Sequence, residues 1–226
     1  TAIKSRCFKE KVEEPNRSYD KGYVYQAGLN YNLLMNKWLY LGFDLSGTGG
    51  ESTYRGYDST NQYGSKTENS FLNTEIRAGY YFLKDDYVLI PFIGYGYHKW
   101  KRTTAPHEGL EQKLEYSLPY ATAGLRYTLL LGELTTMGVK VQIAKSLSPK
   151  VKNHSQSLTL ELGNTIITEI EAPISYSNPS IFEGNLALIP FFHFVNSKKS
   201  SVKSGYSHET SKSVEKGLRV EYFYTL

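Results

Sequence analysis

Apolar and polar residues alternate with a period of two over most of this chain, the spacing that places successive side chains on opposite faces of a β-strand. From Trp38 to Ser46 one face reads Leu39, Leu41, Phe43, Leu45 and the other Tyr40, Gly42, Asp44, Ser46. The first face is wholly apolar. Tyr23, Tyr25, Ala27, Leu29, Tyr31 and Leu33 likewise oppose Gln26, Gly28, Asn30 and Asn32, and Leu72, Thr74, Ile76, Ala78, Tyr80 and Phe82 oppose Asn73, Glu75, Arg77 and Gly79. Further on, Leu158, Leu160, Leu162, Ile166 and Ile170 oppose Thr159, Glu161, Thr165 and Glu169. Phe182, Leu186, Leu188, Phe192 and Phe194 oppose Glu183, Asn185 and His193, and the last strand sets Leu218, Val220, Tyr222 and Tyr224 against Gly217, Arg219, Glu221 and Thr225.

Three further strands, Val88 to Trp100, Leu114 to Thr128 and Met137 to Leu147, alternate less cleanly. Pro91 and Pro119 fall within the first two, and because proline lacks a ladder donor they predict an interruption or a bulge there. Ile3 to Val12 mixes charged and apolar residues on both faces. The connections at 34–37, 83–87, 129–136 and 172–179 are short, whereas those at 47–68, 101–113, 148–155 and 196–215 are polar and mostly longer. Short turns at one end and long loops at the other are the plan of up-and-down barrels in bacterial outer membranes. If both termini lie at the short-turn end the strand number is even, and Ile3 to Val12 then completes a set of ten. The expected fold is all-β: an antiparallel up-and-down transmembrane β-barrel of ten strands, with eight as the alternative, in a single domain spanning residues 1–226.

Composition narrows the picture. Tyr 20, Phe 10 and Gly 19, against Met 2 and Pro 8, favour strands over helices. Mean hydropathy is negative and no stretch approaches the roughly 18 apolar residues of a membrane helix, which excludes a helical membrane protein. It leaves a membrane barrel open, because only alternate strand residues meet lipid. A soluble β-barrel binding protein is the competing reading. The start, Thr1 to Arg6, carries charge where a secretory signal has its apolar core, so an exported chain would here be in mature form. The lone Cys7 makes no internal disulfide or redox pair and reads as an ordinary strand residue.

The polar faces carry charge of both signs: Asp44, Glu75, Glu161, Glu183 and Glu221 against Arg77, Arg126, Lys140 and Arg219. In a soluble barrel these faces are solvated. In a membrane barrel they line a narrow lumen, where buried charges must be paired, so these nine residues are the expected lumen ion-pair network. A lumen filled in this way argues against a wide diffusion pore, leaving a narrow channel as an alternative.

The C-terminal run Arg219, Val220, Glu221, Tyr222, Phe223, Tyr224, Thr225, Leu226 resembles the last strand of outer-membrane barrels, which the barrel-assembly machinery reads, with Leu226 in place of the usual Phe. Ile90 to Tyr97 and Leu118 to Tyr127 are similar to strands of the OmpA-like and opacity-type small barrels, and the chain resembles Opc-like barrels in general fold and charge. The resemblance runs over nearly the whole chain. It implies an outer-membrane location with loops outside, lipid and lipopolysaccharide as surroundings, and no nucleic-acid partner; it names no activity.

Two barrel enzymes were weighed. Omptin-type proteases need an Asp pair and an Asp–His pair at the outer rim, but the adjacent acids here, Asp85 and Asp86, fall in a short turn and no Asp lies two residues from a His. Barrel-type lipid A deacylases need a His and a Ser on one strand, whereas His154 with Ser155 and Ser207 with His208 are sequence-adjacent and point apart in extended chain. His98, His107, His154, His193 and His208 lack metal-ligand spacing. The expectation is a non-enzymatic protein without a cofactor, with an outer-membrane hydrolase as the alternative.

Charge is concentrated in the long connections. Lys99, Lys101, Arg102, Lys113, Lys145, Lys150, Lys152, Lys198, Lys199, Lys203, Lys212 and Lys216 face only Glu108, Glu111, Glu209 and Glu215, an excess of eight positive charges where the whole chain carries +4. These bases either meet the phosphates of lipopolysaccharide or form an adhesin surface for an anionic host glycan, with Lys99, Lys101, Arg102, Lys150, Lys152, Lys198, Lys199 and Lys203 as the polyanion-binding set. Tyr54, Tyr57 and Tyr63, in a Gly/Ser/Thr background, suit either recognition contacts or an interfacial girdle.

Overall fold

The structure, a computed structural model, describes residues 2–11, 17–35, 38–57, 62–107, 110–177, 185–200 and 210–223. Strands occupy most of them: β1 Ala2–Lys11, β2 Arg17–Met35, β3 Leu39–Tyr57, β4 Gln62–Tyr80, β5 Phe82–Lys84, β6 Tyr87–His107, β7 Leu110–Leu130, β8 Thr135–Ser146, β9 Lys150–Asn153, β10 Leu158–Glu161, β11 Thr165–Glu171, β12 Ile174–Ser177, β13 Asn185–Ser197 and β14 Ser211–Phe223. Among the described residues there is no helix.

Every paired neighbour is antiparallel, and the pairings form a circuit. From β1 they pass through β2, β3, β4, β6 and β7 to β8, then through β11, β13 and β14 back to β1. The short segments prolong longer ones: β5 continues β4 beside β6, β9 continues β8 beside β7, and β12 continues β11 between β8 and β13. β10 pairs with β9. A sheet closed in this way is a barrel; of the described strands, the short β5 and β10 pair on one side only.

The four expected loops are corrected. The described residues of 47–68 and 101–113 are strand: β3 and β4 stay in register from Leu39 opposite Tyr80 to Tyr57 opposite Gln62, and β6 and β7 to Thr104 opposite Gln112. Thr103 and Thr104 in the second, and the Thr and Tyr residues of the first, are good strand formers, so polarity conceals strand there. Residues 148–155 contain β9, and 196–215 begins in β13 and ends in β14.

The prolines do not disturb the register. Pro91 pairs with Leu125 and Pro119 with Tyr97 without a shift. Each proline sits where its strand changes partner. β6 leaves β4 after Phe92 and meets β5 at Leu89, and β7 leaves β9 after Ser117 and meets β8 at Tyr120. β13 passes from β12 at Leu188 to β11 at Phe191, with Pro190 between. The proline carbonyls remain in use: Pro119 accepts from the Leu147 amide at 2.8 Å and Pro190 from the Ala172 amide at 3.0 Å.

A further correction concerns residues 158–170, which the sequence suggests as one alternating strand. Here β10 and β11 are separated by Leu162, Gly163 and Asn164, and the pleat slips by one residue, as at a bulge. A matching break at Leu147–Pro149 separates β8 from β9. Leu160 and Leu162 therefore turn inward and are buried, while Glu161 faces out.

Elsewhere the faces fall as expected, with apolar residues outside and charge within. Leu29 is 72% exposed and Ile93 69%, while Glu75 and Arg77 are 4% and 3% exposed. Along β6 the outward residues Pro91, Ile93, Tyr95 and Tyr97 form a band that ends at Lys99. Leu41 lies in the same band, and Leu41→Arg is expected to cost about 2–4 kcal/mol in a bilayer. Unfolding in lipid vesicles measures it; a loss within experimental error means that lipid does not cover this face.

Inside, three layers stack along the axis. Nearest the short turns Tyr40, Ile90 and Phe92 form a small apolar cluster. A charged layer follows. Above it lie Val24, Phe71, Trp100, Tyr116, Leu118, Val151, Leu160 and Leu162, the main apolar cluster. Two glycines make room for inward rings: a Cβ at Gly96 would collide with the Tyr120 ring, and one at Gly124 with the Phe92 ring.

Candidate functional site

The charged layer is built from inward positions of strands around the circuit. Arg77 on β4 forms an ion pair with Asp44 on β3 and lies 3.7 Å from Glu75 on its own strand. Asp44 accepts a hydrogen bond from Asn30 at 2.5 Å. Glu75 accepts from the Tyr120 hydroxyl at 2.9 Å and the Gln142 amide at 2.7 Å. On the opposite side Lys140 binds Glu169 at 2.7 Å and lies 3.6 Å from Glu171, and Arg219 bridges Glu171 at 2.8 Å and Glu221 at 2.5 Å. His193 stands 3.6 Å from Glu215. A cavity of about 270 Å³ remains between these groups, lined among others by Gln26, Asp44, Glu75, Gln142, Glu169 and Arg219.

Of the nine residues expected in this network, Asp44, Glu75, Arg77, Lys140, Arg219 and Glu221 meet in it. Arg126 lies instead against the lower apolar cluster, 5.8 Å over the Tyr40 ring. Glu161 does not belong, because the slip before β11 turns it outward, and Glu183 lies outside the described residues. Sequence reading missed Glu169, Glu171, His193 and Glu215 as members. Glu169 and Glu171, spaced by two, already mark one inward face of β11 once the break before it is known.

The apolar layer above is an aromatic stack. Trp100 lies between Phe71, with centroids 5.6 Å apart, and Tyr116, at 4.3 Å, nearly parallel to both. Its indole N–H donates to Asn69 at 3.0 Å, and Asn69 donates to Ser52 at 2.7 Å. Higher still, Arg102 is 3% exposed, 3.5 Å from Asp20 and 4.8 Å over the Tyr54 ring. This corrects two expectations: Arg102 is an inward residue and no part of a surface polyanion site, and Tyr54 serves an internal contact. The side chains of Tyr57 and Tyr63 lie outside the described residues.

Lys99, Lys101, Lys150 and Lys152 face outward on strands, not on loops. Lys101 pairs in register with Glu115 of β7, and Glu115 with Lys152 of β9; the next row reads Lys99, Ser117, Lys150. Lys99 binds Glu115 at 2.8 Å, and that hydrogen bond holds the Glu115 carboxyl below its ordinary value. His154 lies 3.6 Å from the same carboxylate, and Lys113 is tied to Glu111 at 2.9 Å. Lys198 and Lys199 follow β13, exposed, and Lys203 lies outside the described residues.

The histidines are dispersed. His98 sits against the Phe71 ring, His154 and His193 pair with glutamates, and the side chains of His107 and His208 are outside the described residues. Ser155 donates to the Glu111 carbonyl at 2.7 Å while His154 faces Glu115, so this neighbouring pair has separate partners. Asp85 and Asp86 are exposed in the turn between β5 and β6.

No protein-family model matches the chain, and no curated protein matches it in sequence. Solved structures do. The transport unit of the autotransporter AIDA-I from Escherichia coli aligns over 99% of this chain and 89% of its own, with a TM-score of 0.55 and 11% identity. The outer membrane protease OmpT from Escherichia coli aligns over 98% and 93%, with a TM-score of 0.54 and 12% identity. The fold is that of an outer-membrane β-barrel.

Proposed function

We propose that this chain is a non-enzymatic, ten-stranded barrel of a bacterial outer membrane that holds its long hairpins outside and presents a basic surface to anionic polymers. The count takes β4 with β5, β8 with β9, and β10, β11 and β12 together as single interrupted strands. The observation that carries the reading is the division of charge: acids and bases inside meet each other, while the bases left over face outward above the apolar band. A role like that of the Opc-like adhesins fits this division.

A protease or lipase reading has less support. The paired acids Asp85 and Asp86 lie at the end opposite the basic surface, and His154 and Ser155 engage different groups. A narrow channel is the second reading, since the cavity lies on the barrel axis; its lining is crossed by ion pairs and capped by the aromatic stack.

Heparin retention tests the surface role. The purified barrel is expected to bind at about 0.05 M salt and elute by about 0.5 M, as the Debye length falls from roughly 14 to 4 Å. Joint charge reversal of Lys198, Lys199 and Lys203 to Glu should weaken retention and leave the fold intact. A protein that passes through the column at low salt has no such role.

A further inference from the structure

The aromatic layer fills the lumen from one side. A second cavity, of about 40 Å³, lies between it and the opposite wall, with Phe71 and Trp100 on one side and Ser197, Ser211 and Ser213 on the other. Phe71, His98, Ile167, His193 and Glu215 line both this cavity and the charged chamber, so the two adjoin.

That wall is polar because of β14. Its inward residues run Ser211, Ser213, Glu215, Gly217, Arg219, without an apolar side chain at the height where β4, β6, β11 and β13 supply Phe71, Trp100, Ile167 and Val195. Glu215 stands opposite His193, Ser213 opposite Val195 and Ser211 opposite Ser197, and Ser197 shares a hydrogen bond of 2.9 Å with Thr165. On the other side β1 places Arg6, Phe8 and Glu10 in register with Glu215, Ser213 and Ser211, and β11 places Glu169 in register with His193.

Ser213 points to a use for this wall. It is 5% exposed, lines the small cavity, and its hydroxyl has no hydrogen-bond partner among the described residues. A buried hydroxyl left unpaired is costly, and a polar cavity of this size meets the need with water. Both ends of the polar wall reach solvent. Above, Ser197 precedes the exposed Lys198 and Lys199; below, the chamber-lining Asn30 accepts a hydrogen bond from the exposed Asn32.

We propose that this barrel conducts protons and excludes salt, along a file of water and hydroxyls that runs from Asn32 through the charged chamber, past His193 and Glu215, and by Ser213, Ser211 and Ser197 to the long-hairpin end. Each hop forms one O–H or N–H bond as it breaks another, so nothing is oxidised or reduced. The His193 imidazole passes a proton by taking it on one nitrogen and releasing it from the other. The small cavity has no room for an ion with its hydration shell, which keeps the barrel silent to salt. Proton passage is independent of the basic surface and of heparin retention, and needs only that the barrel span a membrane.

Protons at neutral pH are too dilute to register as salt conductance, so the test is proteoliposomes of the full chain that hold a pH-sensitive dye and are driven by a valinomycin-set potassium potential. Acid is expected to enter faster than in protein-free vesicles, while sodium and chloride fluxes match those vesicles. Ser213→Val or His193→Leu should abolish the excess, and Ser213→Thr should retain it. Thr122→Val, at a buried hydroxyl already bonded to the Ile143 carbonyl, should leave it unchanged. Ser211→Val, one step higher on the same face, gives the answer should Ser213→Val not fold. Acid entry no faster than in protein-free vesicles overturns the path, as does full flux through the valine variants. Sodium or chloride passing alongside identifies a salt-permeable channel and overturns the proton assignment.

Discussion

Replacing Arg77 with Met is expected to destabilise the barrel by about 3–5 kcal/mol, because it leaves the Asp44 carboxylate inside without its cation and takes from Glu75 one of its two. The Arg77 side chain is 1% exposed, so water cannot take its place cheaply. Glu75 retains Tyr120 and Gln142, and Asp44 retains Asn30, but these are neutral donors. Lys140 also acts on Glu75, so the uncompensated charge falls chiefly on Asp44, which its neutral partner only reduces. Two results together test this. The urea midpoint in detergent should fall for the single variant, and Asp44→Asn with Glu75→Gln in the same chain should recover most of the loss. A single variant as stable as the parent means that the charged layer is hydrated.

Trp100→Ala should cost about 3–5 kcal/mol, the usual range for emptying a buried indole site. It removes the middle ring of the Phe71–Trp100–Tyr116 stack and orphans the Asn69 carbonyl that accepts the indole N–H. The same change should show in a second property. The stack covers the charged layer on the long-hairpin side, so its loss should turn a silent barrel into one that passes ions in planar bilayers. Steady conductance in the unaltered protein would show that the aromatic layer is no seal; an unaltered stability would show that the ring is not packed.

Much of the fold was legible because lipid-type burial and strand pleating impose the same period. Leu39 to Ser46 and Leu218 to Thr225 reveal their faces directly. What stayed hidden has a physical cause in each case. The upper hairpins of β3–β4 and β6–β7 lack an apolar face, so strand there is signalled by little more than scattered Thr and Tyr. Leu160 and Glu161 were placed on the wrong faces because a one-residue slip at Leu162–Asn164 reverses every side chain that precedes it. Arg102 looks like a surface base beside Lys99 and Lys101, and only its parity, even where they are odd, shows that it points inward. Asp20 and Tyr54, its partners, are too remote in sequence for any local pattern to connect them.

The three prolines at the partner changes imply an accounting of amides. Where a strand's neighbour breaks off, one residue has nothing to donate to, and in a bilayer each such donor costs several kcal/mol. Pro91, Pro119 and Pro190 carry no such proton, so the residue usually most harmful to a sheet is here the least harmful. A break in β4, β8 or β11 and the proline facing it are thus a matched set. Moving one of these breaks along the barrel would leave its proline facing an intact strand, where the missing donor would cost a ladder hydrogen bond.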